Sequence, residues 1–155
     1  MKKPILVKTD LDKKIRLLVD KIDKKILVVW ACDCARRVLP YFEKKYSNDQ
    51  RPRLAIKAGR AWVRTGIFKM ADVRKISLAA HAAARRAKEY SSARSAARSA
   101  GQAAAAAHVK EHSIAAAIYA ATAKRDGANP EKSDMAVAKE RNWQYQRLLD
   151  LGGNR

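Results

Sequence analysis

Five consecutive alanines, Ala103 to Ala107, sit inside the stretch "AGQAAAAAHVKEH", and roughly half of the positions from Ala79 to Ala123 are alanine. Alanine is the best helix former and a poor strand former, so this third of the chain reads as helix. A buried methyl contributes only about 0.8 kcal/mol, so such helices gain stability by approaching closely rather than by filling space with large side chains. Aromatic residues make up 6% of the chain, and its few Gly and Pro fall between periodic segments. The expectation is one all-α domain over residues 1–155, a bundle of about seven helices with close alanine packing, and mobile ends at 1–8 and 151–155.

Periodicity places the helices. The first starts at Thr9, with Asp12 in a capping-box position, and carries Leu11, Ile15, Leu18, Val19 and Ile22 on one face. The second carries Ile26, Val29, Trp30, Cys34 and Val38, and Pro40 is expected to kink or restart it. The third is two-sided: Arg53, Lys57, Arg60 and Arg64 form a basic stripe opposite Leu54, Ala58, Ala61 and Trp62, and Gly66 stops it. Helices four to six are expected over about 72–90, 92–108 and 113–124, with Ser113 capping the sixth. Gly127 breaks the chain before the seventh, which is capped by Asn129, starts at Pro130 and carries Met135, Ala138, Trp143 and Leu148.

Charge narrows the partners. Lys and Arg total 34 against 15 acidic residues, a net +19. A balance this basic favours nucleic acid, an anionic surface or an acidic protein partner. Arg94 and Arg98 on helix five join the Arg53–Arg64 stripe as candidate phosphate contacts, although no nucleic-acid-binding motif is visible. The longest apolar run, "ILVVWAC", is too short to span a membrane, and "MKKPILVKTDLDKK" does not read as a secretory leader, so a cytoplasmic protein is expected.

Catalytic signatures are missing: there is no nucleophile elbow, phosphate-binding loop or dinucleotide fingerprint. His108 and His112 have the i, i+4 spacing of two zinc ligands, and His81, Asp33, Cys34 or Glu111 could supply a third. The five alanines before His108 offer no polar support for a metal-bound imidazole, so the structural reading is preferred, with His108 closing helix five and no metal or other cofactor expected. A nucleophilic role for Cys34 is a remote alternative. A buried network of Cys34, His81 and Gln102 that fixes helix register is preferred. The C-x-C spacing of Cys32 and Cys34 points the two thiols apart, against a mutual disulfide.

Four strings carry a resemblance: "WACDCARRVLPYFEKKYSNDQRP", "RKISLAAHAAARRAKE", "ARSAARSAGQAAAAAHVKEHSIAAAIYAATA" and "ERNWQYQRL". In order and spacing the chain resembles the Imm-5-like putative immunity protein family from about Trp30 to Leu148. The match rests on Trp30, Asp33, Cys34, Arg37, Phe42, Glu43, His81, Arg85, Gln102, His108 and His112. The resemblance implies an all-α fold and a non-enzymatic role in neutralising a protein toxin. The +19 charge departs from the acidic character of many immunity proteins and calls for an acidic face on the toxin.

Overall fold

The structure is a computed structural model and describes residues 4–153. Seven α-helices follow one another: α1 Leu11–Val19, α2 Lys24–Glu43, α3 Arg51–Thr65, α4 Met70–Arg85, α5 Ser92–Ala105, α6 His112–Gly127 and α7 Ser133–Leu148. A 3-10 turn, Pro130–Lys132, precedes α7, and a π turn, Leu149–Gly153, follows it. There is no strand among the described residues.

Helix α5 is the axis, packed against α2, α3, α4 and α6. Its sequence explains this position, since Ala93, Ser95, Ala96, Ala97, Ser99, Ala100, Gly101, Ala103 and Ala104 are all buried. Small side chains on every face let four neighbours approach one helix. Polar bonds join them, because Ser99 Oγ donates to the carbonyl of Ala116 at 2.7 Å and Ser77 Oγ to that of Gly101 at 2.9 Å. The bulk of the core comes instead from α1 and α2, through Ile15, Val19, Leu27, Trp30, Leu39 and Phe42.

Several element ends follow local chemistry. Asp12 accepts from the Thr9 amide and hydroxyl, the reciprocal half of a capping box. Gly66 ends α3 at φ 70°, in the left-handed region that favours glycine. Pro40, expected to kink or restart the second helix, stays inside α2; it is exposed and in the last turn, so only one terminal bond is lost. Helix α4 stops at Arg85 rather than near Tyr90, which itself takes a positive φ of 62°. Helix α5 ends at Ala105, short of His108, and α6 begins at His112 and runs to Gly127. Ser113 does not cap α6, since its hydroxyl donates backward to the Lys110 carbonyl at 2.6 Å.

Two faces differ from the apolar pattern. Leu54 and Met135 are exposed, while α3 buries Pro52, Ala55, Ile56 and Gly59. Helix α7 buries Val137, Glu140, Arg141, Gln144 and Leu148, a mostly polar stripe. Of the ends expected to be mobile, residues 1–3 and 154–155 lie outside the described residues. Within them, Val7 is buried and its amide donates to Thr122 Oγ1 at 3.2 Å, while Arg125 donates to the carbonyls of Pro4 and Ile5.

Candidate functional site

The polar stripe of α7 meets α2 in a seam of charged and hydrogen-bonded side chains. Trp30 Nε1 donates to the Gln144 carbonyl at 2.8 Å, and Gln144 Nε2 donates to the Ala117 carbonyl at 2.9 Å. Arg141, 1% exposed, donates to Gln144 Oε1 at 2.8 Å and to Asp12 Oδ1 at 2.6 Å. Breaking such a pair leaves an uncompensated buried charge, so these partners fix how α1, α2 and α7 fit together.

Nearer the surface, Arg37 grips the buried Glu140 with two bonds, Nε at 2.8 Å and Nη2 at 2.9 Å, and its guanidinium lies 3.8 Å from the Trp143 ring centre. Asp33 Oδ1 accepts from Arg60 Nη2 at 3.0 Å, and its Oδ2 accepts from Arg147 Nε at 3.0 Å, with Arg147 Nη2 in ion-pair contact at 2.9 Å. Asp33, Arg36, Arg37, Arg60, Trp143 and Arg147 line a surface depression of about 400 Å³. Beyond it, Glu43 accepts two bonds from Arg53, which hold its carboxyl below the usual carboxylate range.

Cys34 lies beneath this seam. Burial, followed by the Glu140 and Asp33 charges, pushes its thiol well above the ordinary value, the opposite of what a nucleophile needs. The expected network of Cys34 with His81 and Gln102 does not form. Cys34 packs near α7, whereas both other residues face α6 and the start of α4.

On that second side, His112 Nδ1 lies 2.7 Å from Gln102 Oε1, a hydrogen bond between the ring and the amide. His108 is exposed in the turn after α5 and stacks on Phe68 at 5.9 Å. His81 packs against Gly101, where a Cβ would lie 2.9 Å from His81 Nε2. Its Nδ1 is buried with no hydrogen-bond partner among the described residues, and burial, then Arg98, Arg85 and His112, push its pKa down to about 4. The His112 pKa is lowered as well, by burial and then by His108.

His81, Gln102, His108 and His112 line one pocket of about 300 Å³ with Met70 and Leu78. Asp33 and Cys34 are engaged elsewhere, and among the described residues no group of three or more His, Cys, Asp or Glu could hold a metal ion. Around the pocket mouth, Ile67, Phe68, Met70, Leu78 and Val109 are exposed, Ile67 to 67%. This apolar corner is the feature that the helical periodicity hid.

The basic stripe is divided. Arg53 and Arg60 are tied to Glu43 and Asp33, leaving Lys57 and Arg64 exposed with no ion pair among the described residues. Arg94 donates to the Ala87 carbonyl at 3.3 Å, and Arg98 sits near Tyr119 and Arg85, toward α4 and α6. Phe42 is core, 5.0 Å from the Tyr46 ring, and Arg85 is exposed at the end of α4.

The model of the Imm-5-like putative immunity proteins matches residues 17–151. The chain belongs to that family. No curated protein and no solved structure matches it. Of the residues that carried the resemblance, Trp30, Asp33, Cys34 and Arg37 gather on the α2–α7 seam of this immunity-family chain. His81, Gln102, His108 and His112 gather at the α4–α6 pocket. Glu140, Arg141, Gln144 and Arg147 complete the seam and were not singled out from sequence, because charged side chains on a helix are expected to face water. Their signal was the spacing of Val137, Arg141, Gln144 and Leu148, which follows a helical face. No helix of the described residues is long and apolar enough to cross a membrane.

Proposed function

We propose that this immunity-family chain acts by binding, without chemistry of its own, and neutralises a protein toxin by covering it. The observation that carries the reading is the exposed corner of Ile67, Phe68, Met70, Leu78 and Val109 between the end of α3 and the turn before α6. Contiguous exposed apolar side chains with a polar rim mark protein contact surfaces, and aromatic and Met side chains are enriched there. Arg64, Lys69, Arg74 and Lys75 stand exposed beside this corner, so the matching surface is apolar at its centre and acidic at its edge.

Co-expression with the toxin encoded beside the gene tests the reading. Wild-type protein should rescue growth, and Ile67→Asp with Leu78→Asp should abolish rescue while leaving the melting temperature unchanged. A wild-type chain that fails to protect against any neighbouring toxin would sink the proposal.

A further inference from the structure

Four arginines meet in the depression between α2, α3 and α7, and three of them are held in place within the chain itself. Arg37 is fixed from two sides, by Glu140 and by the face of Trp143. Arg60 and Arg147, from different helices, share the carboxylate of Asp33. Arg36 is exposed and makes no direct salt bridge among the described residues, although its charge helps to lower the Glu43 carboxyl.

The anchoring bonds leave donors over. Among the described residues Arg60 bonds through Nη2 alone, its Nε and Nη1 make no hydrogen bond, and Nη1 of Arg147 is also unused. A guanidinium presents five N–H groups in a rigid fork, and a fork already oriented loses little freedom when it meets a second acceptor. Side chains of Arg60 and Arg147 remain 38% and 39% exposed, so the unused donors are within reach of solvent.

Charge restricts the acceptor to a monoanion. The four guanidiniums face the carboxylates of Asp33 and Asp150, with Glu140 below, which leaves one positive charge. One carboxylate balances it, whereas a phosphate monoester carries close to two negative charges and would reverse its sign. A nucleic-acid backbone asks for cations along a track, and on α3 the track is interrupted where Arg53 commits both Nε and Nη2 to Glu43.

We propose that this basin is the anchor for a single carboxylate, an aspartate or glutamate side chain on the contact surface of the protein partner. The proposal rests on the protein-binding reading above and adds where the partner's acidic residue is received. Arg60 precedes Gly66, and with it the apolar corner, by about 9 Å along the helix axis. That distance is short against the width of a standard interface, about 800 Å² on each partner.

Calorimetric titration of the full chain with a glutamate-rich peptide and, separately, with a single-stranded oligonucleotide tests the site. Salt of about 0.15 M screens distant charges beyond about 8 Å. The double variant Arg60→Gln/Arg147→Gln is compared with Lys44→Gln/Lys45→Gln, an exposed pair whose loss changes net charge equally. Arg36→Gln, which breaks no direct salt bridge among the described residues, guards against a folding defect in the double variant. We expect peptide affinity to fall about tenfold in the double variant and about threefold in Arg36→Gln, with little change in the lysine control. Oligonucleotide affinity should fall equally in both doubles.

Equal peptide losses in the two doubles, or no peptide binding at all, would overturn the site. A greater oligonucleotide loss in the arginine variant would replace it with a phosphate site. Intact peptide dependence in a chain that rescues no cells would instead overturn the toxin reading and leave the basin standing.

Discussion

Cys32 and Cys34 lie two positions apart on α2 and face different neighbours, Cys32 toward Ile56 and Gly59 of α3 and Cys34 toward α7. Both are free and have no exposed surface. Burial, partly offset by Arg60, pushes the Cys32 thiol up to about 12, and burial also raises Cys34 well above its ordinary value. A thiol-reactive disulfide reagent at pH 8 should therefore label neither in the native protein and both in denaturant; rapid native labelling of one would contradict this environment. His81 gives a second expectation with a definite sign. Its folded pKa of about 4 lies below the ordinary 6.5, so the unfolded chain binds the proton first as pH falls. The resulting stability is fully present above pH 6.5 and is lost progressively toward pH 4, with the lowered His112 acting in the same direction. Denaturant melts at pH 7 and pH 5 should show wild type losing more than His81→Gln, and parallel losses would remove His81 as the cause.

At the scale of the helix, α5 sets the spacing of everything around it. Ala104 and Ala116 are 1% and 0% exposed, so Ala104→Leu and Ala116→Leu should each cost about 1–3 kcal/mol through overpacking, read as a lower melting temperature. Unchanged melting would mean that the faces can part. This element was legible in the sequence because alanine density speaks for both helix and close packing. Helix ends were less legible. The five alanines suggested a helix to His108, yet it stops at Ala105, and the amides of His108 and Val109 both turn back to the Ala105 carbonyl. Helix propensity has no information about where a tertiary turn must fall. Burial on α7 was hidden for another reason: Glu140 and Arg141 are paired, and only their partners in space, Arg37 and Asp12, make their burial affordable in energy.

For the whole molecule, the +19 charge was plain from composition, but its distribution was not. Reading α3 alone gave four aligned cations; folding brings Glu43 and Asp33 against two of them. The structure therefore lowers the number of cations that the stripe has free for phosphate. Six phosphate contacts would cost roughly 10³-fold or more in affinity between 50 and 200 mM salt. Because Arg53 and Arg60 are already paired, any nucleic-acid binding should show a shallower dependence in a mobility-shift titration. A slope of about five or more would restore the full basic face as a nucleic-acid surface.

The Trp30 indole, fully buried and bonded to the Gln144 carbonyl 114 positions away, has an optical consequence. Its emission belongs to an apolar, water-free environment only while α7 lies on α2, whereas Trp62 and Trp143 are partly open to solvent. Detachment of α7 would wet Trp30 and move its emission to longer wavelength while most of the backbone remained helical. In a chain with Trp62 and Trp143 replaced by phenylalanine, the colour of one residue would read out the docking of the last helix, apart from the ellipticity that reads out all of them.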